Sequence, residues 1–78
     1  MRKKVTMQGM HVTDDIVVSL IAVYNPGGWH DYYDVEVDEQ RGGVWFRQGS
    51  ASYREYQDAL LAFEQKQRDI AAQIILGE

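Results

Sequence analysis

The stretch Tyr32-Tyr33-Asp34-Val35-Glu36-Val37-Asp38 alternates more cleanly than any other part of this chain, with Tyr33, Val35 and Val37 at one parity and Tyr32, Asp34, Glu36 and Asp38 at the other. Successive side chains of a strand point to opposite faces, so the pattern specifies a strand with one face in a core and the other in water. On a helix the same spacing would set Glu36 opposite Asp34 and Asp38 and leave no single apolar face. The chain is thereby committed to a sheet that is apolar on one side and charged on the other.

The flanking segments supply partners for that strand. Glu39-Gln40-Arg41-Gly42-Gly43 predicts a hairpin connection of four or five residues, after which Val44–Gln48 returns with Val44 and Phe46 facing the core and Trp45 and Arg47 on the acidic face. Upstream, Ile16–Tyr24 (IVVSLIAVY) is apolar at both parities, as expected of a central strand covered on both sides. It ends at Asn25-Pro26-Gly27-Gly28, where Pro26 has no donor for a ladder and the glycines accept positive φ. Residues 3–12 alternate weakly, with Val5 and Met7 opposed to Thr6 and Gln8, and Thr13-Asp14-Asp15 supplies a turn. Strands are therefore expected over about 3–12, 16–24, 32–38 and 44–48.

Beyond them the period changes. Ser52 and Glu55 have capping-box spacing, and the helix predicted from Tyr53 to about Leu76 stops at Gly77. Tyr53, Tyr56, Ala59, Leu60, Phe63, Ile70, Ala71 and Ile74 fall on one stripe, with Gln67 inside it, and this stripe should lie across the sheet. Leu61, Ala72 and Leu76 lie off the stripe and form a second apolar seam, a candidate for self-association in a homodimer. The fold class expected is α+β: an antiparallel sheet of three or four strands with one long C-terminal helix packed on one face, as a single domain over residues 1–78.

Composition narrows the function classes. A chain of 78 residues is at the size where one core is marginal. It has no cysteine, which removes disulfides and Cys-based zinc sites and fits a reducing cytoplasm. No apolar run reaches the ~20 residues of a membrane span, and MRKKVTMQGM lacks the apolar segment of a secretory signal, so no membrane partner and a cytoplasmic location are expected. Eight basic against twelve acidic residues give a net charge of −4, which disfavours direct nucleic-acid binding. Arg2, Lys3 and Lys4 start the chain, whereas Asp31, Asp34, Glu36, Asp38 and Glu39 crowd its middle.

The stretch Asn25–Asp34 (NPGGWHDYYD) is the place to look for chemistry, and it contains little. His11, His30, Asp31, Asp14 and Asp15 are possible ligand types, but they lack the HxxxH or HExxH spacing that places two histidines on one helical face. Ser19, Ser50 and Ser52 have no GxSxG context, and neither Gly27-Gly28 nor Gly42-Gly43 belongs to a phosphate-binding loop. No enzyme activity, metal or cofactor is expected.

The acidic row and the aromatic residues remain. Asp34, Glu36 and Asp38 project at intervals of ~6.7 Å, and such a row could occupy a cationic groove that otherwise holds a nucleic-acid backbone. Trp29, Tyr32 and Trp45 fall outside the core set and, with Arg47, are the residue types that dominate binding hot spots. The strand–strand–strand–helix order over roughly residues 30–70, ending in Gly49-Ser50-Ala51-Ser52-Tyr53-Arg54-Glu55-Tyr56, resembles in outline two small domains. These are the arm-binding domain of phage integrases and the RNase-H-like domain of some antitoxins. The integrase resemblance implies a nucleic-acid-binding sheet, here using Arg2, Lys3, Lys4, Arg41, Arg47 and Trp45.

The expectation from the residues themselves is a small non-catalytic interaction module of the kind phages and mobile elements encode. It would occlude a protein partner with a basic groove through Trp29, Tyr32, Asp34, Glu36, Asp38, Trp45 and Arg47. A nucleic-acid-binding module and a homo-oligomeric structural protein are the alternatives.

Overall fold

The computed structural model describes residues 2–77. Strands β1 (Lys3–Thr13), β2 (Ile16–Tyr24), β3 (His30–Arg41) and β4 (Val44–Tyr53) precede one helix, α1 (Tyr56–Leu76). The strands pair antiparallel in the order β1-β2-β3-β4, so each hairpin joins spatial neighbours and β2 and β3 are interior. This is the α+β arrangement that the alternation at Tyr32–Asp38 demands, with four strands and the C-terminal helix on one side.

Directly paired residues of an antiparallel sheet point to the same face, so the register assigns every side chain. Val18, Leu20, Val35 and Val37 face the helix and form the buried cluster with Ala59 and Phe63. Tyr33, Tyr53, Tyr56, Leu60 and Ile70 pack around that cluster. The helical stripe read from the sequence docks from Tyr56 to Ile70; Tyr53 ends β4 instead, and Ile74, at the far end of the stripe, is exposed. Gln67, inside the stripe, donates through Nε2 to the Phe63 carbonyl at 3.4 Å and so satisfies its amide without leaving the helix.

Several boundaries differ from those expected. β3 and β4 are longer than residues 32–38 and 44–48, because Gly49-Ser50-Ala51-Ser52-Tyr53 continues the ladder against Tyr33–Val37 after a register shift beside Gln48. The connection between them is only Gly42-Gly43, with φ of +58° and +83°, the two positive-φ positions of a tight hairpin turn. The helix begins at Tyr56 rather than Tyr53, and the capping box does not form: Glu55 is the N-cap with no side-chain cap bond, and the Ser52 hydroxyl is engaged elsewhere. A shift between Thr6 and Gln8 places Gln8 on the helix side with Val5, contrary to the simple alternation.

Two further expectations need correction. Ile16–Tyr24 is interior, yet only one of its faces is covered by the helix. On the other face Ile21 and Val23 are nonetheless buried, and the residues beside them are Thr6 and Lys4 on β1 and Asp34 and Tyr32 on β3. Val44 and Phe46 do point to the helix side, but they lie beyond the helix's reach and are half exposed.

Candidate functional site: the helix-free face of the sheet

The helix-free face carries a lattice of charges centred on β3. Glu36 is flanked by Ser19 on β2 and Ser50 on β4, and these short side chains leave room above the carboxylate. Two long cations close over that space from the outer strands. Lys4 Nζ, from β1, donates to Glu36 Oε2 at 3.2 Å and lies 3.8 Å from Asp34, while an Arg47 terminal nitrogen, from β4, lies 3.0 Å from Glu36 Oε1. Arg47 Nε also donates to Asp38 Oδ1 at 2.6 Å.

Asp34 is served from the other side. The Ser52 hydroxyl, directly across the ladder, donates to Asp34 Oδ1 at 2.7 Å. Asp34 and Glu36 are thus 5% and 4% exposed, and among the described residues no buried side-chain polar atom lacks a partner. The Arg47 guanidinium is held above its ordinary pKa, first by its hydrogen bond to Asp38. Partial burial opposes the rise, and the charges of Glu36, Asp38 and Asp34 reinforce it.

The pattern extends to both ends of the strand. Arg2 pairs with Asp31 and places its guanidinium 5.6 Å from the Tyr32 ring centre. Arg41 pairs with Glu39 at 3.1 Å on the helix side of the hairpin, and Gln48 donates to the same Glu39 carboxylate at 2.6 Å. The outward cations are about half exposed, so individual pairs there are worth ~0–1 kcal/mol. What matters is where the negative charge remains accessible: at Asp31 and Asp38 toward this face and at Glu39 toward the helix side, not at Asp34 or Glu36.

Of the seven residues singled out for partner binding, Tyr32, Asp34, Glu36, Asp38, Trp45 and Arg47 share this face by register. Trp45 sits across from Gln40 and borders a shallow hollow with His11, Val17 and Asp38. Trp29 does not plug the core. It is 76% exposed in the β2–β3 turn, where Asn25 Oδ1 accepts from the backbone N–H groups of Gly27 and Trp29. Leu61, Ala72 and Leu76 are exposed on α1.

The two histidines are not brought together. His11 lies on the helix-free face opposite Val17 near the β1–β2 turn, whereas His30 pairs with Tyr24 at the far end of β2. His30 packs edge-on to Tyr24, with ring centres 5.6 Å apart, and against Tyr33 at 4.2 Å; Tyr33 continues to Tyr56 at 5.5 Å. Among the described residues no group of three or more His, Cys, Asp or Glu is placed to hold a metal. No helix among them is long and apolar enough to cross a membrane.

Sequence reasoning identified this face but missed Lys4 and Ser52, the residues that neutralise and hydrogen-bond its carboxylates. Lys4 was legible only as part of a basic start, and Ser52 carried a competing helix-cap signal. No protein-family model matches the chain, and neither a curated protein nor a solved structure matches it.

Proposed function

We propose that this chain is a small non-catalytic interaction module that occludes a protein partner through the helix-free face of its sheet, as accessory or inhibitory factors of phages and mobile elements do. The observation that carries this reading is Trp45. Its side chain is 47% exposed on a hydrogen-bonded sheet, beside an arginine fixed by two carboxylates. An indole there adds little to the core, whereas Trp and Arg on a rigid platform are the residue types that anchor interfaces at low entropic cost.

The charge distribution favours a particular partner. Asp34 and Glu36 face their own cations, so a partner meets a largely neutral centre with accessible carboxylates at Asp31 and Asp38. Glu39 points to the helix side, and the arrangement left on this face suits the margin of a basic groove on a nucleic-acid-handling protein and disfavours a phosphate backbone. The separation of His11 from His30 supports the non-catalytic reading, because it leaves neither histidine a second ligand or acid–base partner of its own kind.

The test is capture from host lysate with and without nuclease, comparing the native chain with Trp45→Ala. A protein should be retained irrespective of nuclease and should be lost, by tenfold or more in affinity, on Trp45→Ala, with the circular dichroism unchanged. Retention that disappears with nuclease, or salt-sensitive binding to single-stranded DNA or RNA, would replace this reading with the nucleic-acid module.

A further inference from the structure

We propose that the chain pairs with a second copy of itself through the helix side of the sheet, the face opposite to the proposed partner surface. The argument begins with how little of that side α1 covers. A helix is ~10 Å across, whereas four strands at ~4.8 Å spacing present nearly twice that width. Only Ala59 and Phe63 of α1 are buried. The sheet's outer strands are left with half-exposed apolar side chains pointing to the helix side: Val5 and Met10 on β1, Val44 and Phe46 on β4.

The same chain carries a matching apolar element. Ile70 is the last helical residue packed on the core, and the helix continues past it through Ile74, Ile75 and Leu76. Ile75 and Leu76 are 75% and 83% exposed. An exposed apolar tail and half-exposed apolar edge strands on one molecule are the two halves of an isologous contact: each copy's tail can lie on the other's sheet.

The amounts agree. Val5 and Met10 lie on the opposite sheet edge from Val44 and Phe46, so a partner's tail meets one edge at a time. The tail and one edge leave roughly 500 Å² of accessible surface per copy, and a two-fold pair would bury about 1,000 Å², the lower limit of a specific interface. Charged groups lie around this area at Lys3, Glu39, Arg41 and Lys66, the polar rim such an interface needs. The second copy also adds apolar cover to a fold whose own core is small.

Sedimentation velocity on the full chain decides the matter. The native protein should sediment at twice its 9.0 kDa mass at roughly 10 µM, corresponding to a Kd in the micromolar range or tighter. Phe46→Glu combined with Ile75→Glu should return it to monomer with unchanged circular dichroism, since both side chains are at least half exposed. Trp45→Ala, on the opposite face, should remain dimeric, which separates this interface from the partner surface. A native chain that stays monomeric at roughly 100 µM, a dimer indifferent to the two glutamates, or one dissociated by Trp45→Ala would overturn the proposal. So would a monomeric native chain that captures a different protein through Phe46.

Discussion

Phe63→Ala should leave the chain largely unfolded at room temperature or lower its melting temperature by ~15 °C or more. Phe63 is 3% exposed and is the bulkiest side chain of the buried cluster, which it joins with Val18, Leu20, Val35 and Val37. Truncating a buried Phe to Ala costs ~3–5 kcal/mol, the lost transfer energy plus the cavity left behind. A domain of this length has a total stability of only ~4–12 kcal/mol. Collapse around the cavity offers little relief, because the helix is held to the sheet by few buried residues, Ala59 being the only other one on α1. Thermal unfolding followed by circular dichroism measures the effect; a loss below ~1 kcal/mol would mean that α1 is not docked on the sheet through this side chain.

Glu36→Lys should be nearly as damaging, at ~3–5 kcal/mol, although it replaces one charged residue on a helix-free face with another. The new ammonium would lie where Lys4 and Arg47 converge at 3.2 and 3.0 Å on a carboxylate that is almost fully buried. Three cations would then share a site built for two around an anion. Glu36→Gln keeps the shape and an acceptor oxygen but removes the charge, and should cost ~1–2 kcal/mol. The ordering of these variants by denaturant midpoint separates a neutralised lattice from a solvated acidic row. In a solvated row both substitutions would fall within about 0.5 kcal/mol of the native chain.

How much of this was legible depended on whether the determining contact was local. The alternation at Tyr33–Asp38 specified a strand and its two faces, because apolar and charged residues alternate there without error. The helical stripe around Ala59 and Phe63 was equally readable, since its period is carried by the chain itself. The second half of β4 was not readable: Gly49, Ser50, Ala51 and Ser52 have no strand propensity, and they are held by pairing with β3 rather than by preference. The missed cap has the same origin. Ser52 could bond either the first helical turn or Asp34 across the ladder, and the buried carboxylate wins because leaving it unpaired costs more than leaving an exposed helix end to water.

The acidic row was the least legible feature. From spacing alone Asp34, Glu36 and Asp38 are equivalent, and each reads as solvent-facing. Only Asp34 and Glu36 are buried: Glu36 sits between the short Ser19 and Ser50, Asp34 accepts from Ser52, and Lys4 and Arg47 reach in from strands on either side. The cluster at Asn25–Asp34 resolves similarly into separate tasks. Asn25 organises the turn, His30 packs with Tyr24 and Tyr33 on the helix side, Asp31 holds Arg2, and Trp29 is left exposed at the rim.

The central claim is a division of labour between faces, with the helix-free side reserved for a partner. It is tested most directly by placing a photo-crosslinking amino acid at His11, which is exposed on the helix-free face beside Trp45, or, separately, at Gln65, which is exposed on α1. After irradiation in host lysate, the probe at position 11 should join the chain to a distinct, nuclease-resistant protein partner, and the probe at position 65 should not. A partner crosslinked from position 65 but not from position 11 would contradict the account.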